Sequence, residues 1–339
     1  MNSTIKNGKN NVNILITGVS GFIGFSLAED LLKKKNYRIY GIDNFDNYYS
    51  ILYKKKRIKL LKKYNNFFFF KTDISNKNKV KKFFHNKKFE YIFHLAAQAG
   101  VRYSLINPIK YYRVNILGFQ NIAQYSVHSN FKKLFYASSS SVYGEQKKLP
   151  IDENSNLSPK NFYGYTKVAN EFQAKYYSET MKKNFIGLRF FTVYGQWGRP
   201  DMFIMKILNS YARNTTFNLN NYGNHFRDFT NIKDVVSLLK KLIFVKSKKY
   251  HEIYNICSNN PISINKLVFF FKKKLIGLKI KKIKRNIADV KDTHGSNKKI
   301  LKIVGKFKFS NIYRELDLIV SWFFKNNIKF LLKSEYDKK

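Results

Sequence analysis

Of the 24 tyrosines in this chain, two stand four positions before a lysine, Tyr143/Lys147 and Tyr163/Lys167. A tyrosine hydroxyl near an ammonium group can exchange a proton with a bound alcohol, because neighbouring positive charge favours the phenolate. A free phenol has a pKa of about 10, so holding it ionised near neutrality takes roughly 4 kcal/mol. Position separates the two pairs. Tyr143 lies in a Val-Tyr-Gly turn followed by a polar loop, whereas Tyr163 opens a helical stretch and places Lys167 one turn on along the same face. Tyr163 and Lys167 form the candidate acid/base unit. Upstream, Ser138-Ser139-Ser140-Ser141 ends a strand. A hydroxyl there can bridge the tyrosine and a reacting alcohol, or satisfy loop hydrogen bonds; beside the Tyr-Lys pair the catalytic reading is preferred.

A second group of residues suits a dinucleotide. Gly18, Gly21, Phe22, Ile23 and Gly24 form a Gly-x-x-Gly-x-x-Gly turn between the first strand and the first helix. Missing Cβ atoms let that backbone turn tightly and approach phosphates, whose charge meets free N–H groups and the positive end of the helix. Roughly 20 residues further on, Asp43 followed by Asn44 ends the second strand, the place of a carboxylate that accepts from ribose hydroxyls. Such a carboxylate repels a 2′-phosphate, so the expected cofactor is NAD rather than NADP. Asp73 and Ile74 follow the third strand and are expected beside the adenine. Leu95, Ala96 and Ala97 end the fourth strand with small side chains, allowing close approach on the nicotinamide side. That ring, positively charged, would join Lys167 in favouring the phenolate of Tyr163.

Positioning these groups requires a framework of alternating strands and helices. Short apolar runs at 12–17, 38–42, 67–71, 91–95, 133–137 and 185–190 read as strands, with helices at 22–34, 53–63, 77–84, 109–126 and 162–181 between them. That order gives an α/β fold, a doubly wound parallel sheet. The four phenylalanines 67–70 read as a strand buried on both faces. Past residue 190 the alternation fades into helices at 202–212 and 234–245 and a strand at 253–256. The expected organisation is a nucleotide-binding domain at 11–190 and a smaller substrate-binding domain at 191–330, some of whose segments return to the first sheet. Residues 1–10 and 331–339 read as flexible tails.

Composition narrows the function classes. The one cysteine, Cys257, excludes an intrachain disulfide, and no metal cluster is apparent. Neither an apolar leader nor a membrane-length apolar stretch is visible, so a cytoplasmic protein is expected. The balance of 64 Lys+Arg against 21 Asp+Glu raises the question of nucleic acid. The excess runs through the whole chain, as in 33–35, 54–56, 272–274 and 281–282, and accompanies abundant Asn, Ile, Phe and Tyr. Solvated Lys-rich faces from compositional drift are preferred over a polyanion-binding surface, although the field still attracts a di-anionic nucleotide.

The glycine turn, Ser-Ser-Ser-x-Val-Tyr-Gly and Tyr-x-x-x-Lys, in this order, resemble the extended short-chain dehydrogenase/reductases from about residue 12 to beyond Asp289. The stretches Ala97-Gln98-Ala99-Gly100-Val101-Arg102-Tyr103-Ser104 and Arg189-Phe190-Phe191-Thr192-Val193-Tyr194-Gly195-Gln196-Trp197-Gly198-Arg199-Pro200-Asp201-Met202 are similar to UDP-glucuronate 4-epimerases. The resemblance implies that Ser139, Tyr163 and Lys167 are catalytic and that Asn115 and Phe191 border the cofactor or active site. It places Arg102, Thr192 and Arg199 on the sugar and its carboxylate, with Ser139 and Ser140 also at the substrate, and Arg227 on the nucleotide phosphates. Guanidinium groups suit these anions because they grip two oxygens at once. The implied reaction oxidises and reduces carbon 4 of a UDP-sugar with NAD retained throughout, in a homodimer joined through helices 109–126 and 162–181.

The residues after Ser139 weigh against related chemistries. Dehydratases and decarboxylases of this kind carry an acid just after the catalytic Ser/Thr, where this chain has Ser140 and Ser141. UDP-glucose 4-epimerase, another nucleotide-sugar epimerase and a non-catalytic binding protein stay open as alternatives. One departure is Asn286-Ile287-Ala288-Asp289-Val290, where the family's usual element is Pro-Gly-Asp-Val; it puts the uridine-side contacts in question. His294 is expected to be structural or solvated.

Overall fold

Short runs rich in Val, Ile, Leu and Phe build the centre of the molecule. In the computed structural model, which describes residues 11–332, these runs become Val12–Thr17 (β1), Tyr37–Asp43 (β2), Phe67–Lys71 (β3), Tyr91–His94 (β4), Lys133–Ser139 (β5) and Asn184–Phe190 (β6). A seventh strand, His251–Ile256, arrives from the second half of the chain and pairs in parallel with β6. Across the sheet the order is His251–Ile256, β6, β5, β4, β1, β2, β3. All seven are parallel, so the doubly wound α/β fold is as expected. The order reverses at β1, which pairs with both β2 and β4. Ligands of such sheets bind beyond the carboxyl ends of the strands at that reversal.

Strand geometry sends alternate side chains to opposite faces. Ile14 and Ile16 enter one core with the helices Phe22–Leu31 and Ile232–Phe244; Leu15 enters the other with Lys77–Phe84, Gly118–Ser126 and Phe162–Met181. Each fully buried Leu, Ile or Phe contributes roughly 2 kcal/mol of apolar transfer. A third core carries the substrate side. It joins the helices Phe203–Ala212, Ile264–Lys274 and Ile312–Lys325 through Leu208, Leu267, Phe271, Leu316 and Phe323. Beside it the strand Phe226–Asn231 pairs with Thr192–Tyr194 and Pro261–Ser263.

Three expectations are corrected. β3 is an edge strand, so the four phenylalanines are not buried on both faces: Phe68 is 39% exposed and stacks on Tyr40. The helix expected over 109–126 is interrupted, running Pro108–Tyr111, then a π-helical Tyr112–Leu117, then Gly118–Ser126. The wider π turn leaves the Asn115 carbonyl open, and Asn170 Nδ2 from the neighbouring helix donates to it at 2.7 Å. Lys54, read as part of a solvated face, is 6% exposed and donates to the Asp46 carbonyl. Of the expected tails, residues 1–10 and 333–339 lie outside the described residues, while Leu332 is buried in the third core. Among the described residues no helix is long and apolar enough to cross a membrane.

Candidate active site

The cofactor side is made largely of backbone. Gly18 has φ +69°, and a Cβ there would lie 2.8 Å from Ala96 Cα. One on Gly24 would lie 2.4 Å from the Gly18 carbonyl oxygen. The turn and β4 therefore pack closely only with glycines at these places. The helix Phe22–Leu31 begins at Gly21 with no side chain capping its first turn, so its N–H groups remain available to an anion. Ser20 Oγ is buried with no partner among the described residues. Phe22 is buried, Ile23 half-buried. These features fit a dinucleotide pyrophosphate.

Asp43 sits at the end of β2, where its Oδ2 accepts from Ser20 N at 3.0 Å and its Oδ1 from Phe45 N at 2.8 Å. A carboxylate has about four acceptor positions, so capacity for ribose hydroxyls remains. Asn44 and Asp73 close local turns, accepting from Asp46 N and Ser75 N. The Ile74 carbonyl accepts from Asn121 Nδ2. Leu95, Ala96 and Ala97 are half-buried at the end of β4, with Ala96 N held by Thr17 Oγ1. His94 Nδ1 shares that hydroxyl at 2.8 Å; burial and the charge of Lys167 push the imidazole down to about 3, so it is neutral.

The candidate proton-handling groups converge from β5 and the helix Phe162–Met181. Asn161 caps that helix by accepting from Gly164 N, fixing the first turn on which Tyr163 sits. Tyr163, Ser139 and Lys167 are all buried. Burial pushes the Tyr163 phenol up, while a hydrogen bond with Ser139 and the positive charge of Arg199 pull it down. Lys167 Nζ donates to the Ala137 carbonyl at 2.8 Å and lies 5.9 Å from the Tyr163 ring centroid. Its pKa is driven down to about 7 by burial, with Glu171 acting in the opposite sense. Within the protein alone, then, Arg199 and Ser139 rather than Lys167 are the groups that favour phenolate. Asn115 bonds both polar atoms of the Gln98 peptide, 2.9 and 3.0 Å, and Thr166 Oγ1, tying the loop after β4 to the catalytic helix. Phe191 is buried against Gly295 and Tyr143.

Tyr143 belongs elsewhere: its hydroxyl donates to Asn255 Oδ1 and accepts from Arg189, and Lys147 is exposed. The structure thus separates the two Tyr-x-x-x-Lys pairs as position in the sequence does.

The substrate side is made of charge. Arg199 pairs with Asp201 through Nε and Nη2, and its guanidinium also reaches the Ala99 carbonyl at 3.4 Å. Tyr48 donates to Asp201 Oδ2 at 3.0 Å. Arg102 is exposed and paired with Asp289 at 2.7 Å. Arg227 donates to the Val290 and Lys291 carbonyls, and burial lowers its pKa to about 10. Arg102 and Arg227 therefore meet the segment 289–291 and not Arg199. Ala288, immediately before that segment, is buried with its carbonyl accepting from Asn161, the cap of the helix Phe162–Met181. Thr192 is half-buried at the start of its strand, and Ser140 half-buried in the turn after β5. His294 is pinned to Asn259.

Several residues escaped the sequence reading. Glu171 joins Ser138 at 2.6 Å and Arg189 through two bonds of 2.8 and 2.7 Å, a buried ion pair behind Lys167. Its position four residues after Lys167 on one helix face is a signal that could have found it. Asp201, Tyr48 and Arg57 gave no such local signal.

The reversal of a doubly wound sheet, a glycine turn shaped for a dinucleotide and a buried Ser-Tyr-Lys group define an enzyme that oxidises and reduces alcohols with a nicotinamide cofactor. Residues 14–257 match the NAD dependent epimerase/dehydratase family. The chain belongs to that family, and it is an NAD-dependent sugar-nucleotide epimerase. It is similar to UDP-glucuronate 4-epimerase from Thermodesulfobacterium geofontis, 36% identical over 94% of this chain and 98% of the relative. It also resembles UDP-glucuronate 4-epimerase 2 from Arabidopsis thaliana, 34% identical over 93% and 76% of the two chains. The crystal structure of UDP-glucuronic acid 4-epimerase from Bacillus cereus, in complex with UDP-glucuronic acid and NAD, superimposes with a TM-score of 0.87 and 27% identity, over 93% of this chain and all of that one.

Proposed function

We propose that this epimerase interconverts UDP-glucuronate and UDP-galacturonate at carbon 4. The observation that carries the uronate reading is Arg199: its guanidinium already binds a carboxylate, Asp201, through two hydrogen bonds while its charge acts on Tyr163. A planar carboxylate is therefore what this position accommodates beside the proton-transfer group. The similar proteins from T. geofontis, A. thaliana and B. cereus support the same substrate.

Bound NAD supplies hydride acceptance from carbon 4 and its return. Tyr163 takes the hydroxyl proton, Ser139 steadies the oxygen, the charge of Arg199 favours the phenolate, and Lys167 holds the cofactor beside the tyrosine. The resulting 4-keto sugar turns within the pocket so that its other face meets the cofactor; as the hydride returns to carbon 4 on that face, Tyr163 gives the proton back to the carbon-4 oxygen, with no net redox change. Gly18, Gly21, Phe22, Ile23, Gly24, Asp43, Asn44, Asp73, Ile74, Leu95, Ala96, Ala97 and Asn115 are assigned to the cofactor, together with Tyr163 and Lys167. Arg102, Thr192, Ser140 and Arg227 are assigned to the nucleotide sugar, with the last on its phosphates.

UDP-glucose is the competing substrate, since the first oxidation is common to both. Incubating the purified protein with each sugar and resolving products by NMR separates the readings. UDP-galacturonate from UDP-glucuronate, lost by 100-fold or more in Tyr163→Phe as expected for removal of a general base, supports the proposal. Conversion of UDP-glucose alone overturns it.

We also infer a cytoplasmic homodimer with no nucleic-acid partner. Ile109, Tyr112, Phe172 and Tyr176 leave large apolar side chains exposed on the two helical segments expected to pair. Sedimentation equilibrium checks the dimer; a monomer at micromolar concentration refutes it.

A further inference from the structure

Arg57 is the largest side chain that is fully buried, at 0% exposure, and among the described residues no carboxylate lies within ion-pair distance of it. Burying a cation without an anion is costly, so its acceptors say what it is for. Nη1 donates to the Ser20 carbonyl at 2.8 Å and to the Tyr49 hydroxyl at 2.9 Å. Nη2 donates to the Trp197 carbonyl and, at 3.4 Å, to that of Gly198. The guanidinium carbon stacks 4.3 Å from the Tyr53 ring centroid, and Nε has no hydrogen-bond partner among the described residues. One rigid fork thus spans two loops: the glycine turn of the cofactor side, and the backbone immediately before Arg199.

The second loop is held in an unfavourable shape. Trp197 has φ +61°, a left-handed conformation that a bulky side chain adopts only where its surroundings impose it. The Trp197 ring is packed against Phe25, Tyr53 and Trp322 at centroid distances of 5.6, 5.3 and 5.3 Å, and its carbonyl is held by Arg57. Phe25 stands on the helix that the glycine turn opens. Ser20 and the helix after it therefore contact the Trp197 corner twice, once through the guanidinium and once through the ring.

We propose that Arg57 is a positioning residue that couples the dinucleotide turn to the substrate loop, so that ordering of residues 18–24 by NAD fixes the backbone that aims Arg199. A lysine cannot replace this function, because one ammonium lacks the planar fork that reaches both loops. The inference deepens the reading of Arg199 as the sugar-binding group, but the coupling is measurable with whichever UDP-sugar the enzyme binds.

The test is calorimetric titration of UDP-glucuronate, or of UDP-glucose should that be the ligand bound, into NAD-free and NAD-loaded protein. In the natural chain NAD is expected to tighten sugar-nucleotide binding by roughly tenfold, an ordinary coupling between sites. In Arg57→Met that factor falls to about one while affinity in the NAD-free protein changes less than twofold, and Arg57→Lys restores only part of it. An equal loss in both forms, or an unchanged factor, overturns the proposal. Should neither variant fold, hydrogen exchange on the natural chain decides: NAD must slow amide exchange at 195–199 as well as at 18–24, and protection confined to 18–24 refutes the coupling. Failure of UDP-glucuronate to bind at all, with UDP-glucose showing intact coupling, counts against the uronate reading and not against Arg57.

Discussion

The cofactor half and the substrate half of this site solve recognition in opposite ways. The first is a close fit of backbone to backbone, in which Gly18 and Gly24 leave room that no other residue leaves and the helix N-terminus stands uncapped. The second is a set of charged side chains that already have partners: Arg199 with Asp201, Arg102 with Asp289, Arg227 with the carbonyls of Val290 and Lys291. A cradle walled by backbone can be ordered as one piece by the cofactor it holds, whereas paired arginines must share or exchange partners when an anionic sugar arrives. The contrast suits an enzyme that retains its cofactor while its substrate enters, turns over and leaves.

The largest effect should come from filling the cradle. Gly24→Val places a side chain against the Gly18 carbonyl, where even a Cβ would stand at 2.4 Å, and NAD affinity should fall on the order of 100-fold. Equilibrium dialysis with a melting curve as folding control measures this; unchanged retention would mean that the turn is not the pyrophosphate site. On the other side a neutral replacement should show grading. Arg199→Gln should lower kcat/KM for UDP-glucuronate by roughly 10- to 100-fold, the worth of hydrogen bonds to a charged group. Arg102→Gln, at an exposed ion pair, should cost only a few-fold. Reversal of that ranking would transfer recognition to the segment around Asp289.

The smallest effect concerns His94, which braces Thr17 beneath the cradle. Above pH 6.5 it is neutral whether the chain is folded or not. Below that value the unfolded chain takes up a proton that the folded one refuses until about pH 3, so stability is lost as pH falls through this window. His225 and His251, both lowered to about 4 mainly by burial, act in the same direction. Replacing His94 by Gln should remove up to about 1.4 kcal/mol per pH unit from the slope of stability between pH 6 and 4. Denaturant titrations at several pH values test it, and an unaltered slope would show that His94 is charged in the native state.

The same contrast explains what could be read from the sequence. The succession of strands and helices, the glycine turn, Asp43 and the Ser139, Tyr163 and Lys167 constellation are local signals: residue types at short spacing beside an apolar run. Arg57 sits in Tyr-Lys-Lys-Lys-Arg-Ile-Lys, where nothing local distinguishes a buried guanidinium from a solvated one. Its meaning depends on Ser20, 37 residues before it, and Trp197, 140 after it. The four phenylalanines misled for a related reason. An apolar run identifies a strand, but whether the strand lies inside the sheet or at its edge depends on pairing with elements elsewhere in the chain. The π-helical turn at Asn115 likewise rests on Asn170, a residue of another helix.

The strand His251–Ile256 has a consequence for how the chain comes to be folded. It closes the sheet beside β6, so a nascent chain that has emerged only as far as Phe190 holds the whole glycine turn and Tyr163 yet presents β6 as an open edge. That edge carries Phe185, Ile186 and Leu188, which are buried in the finished protein. Such an edge is an invitation to pair with another chain, and closure must wait for about 60 more residues, a contact of the kind that slows folding. A fragment ending at Phe190 is therefore expected to associate through that edge when expressed alone, which light scattering of the purified fragment would check.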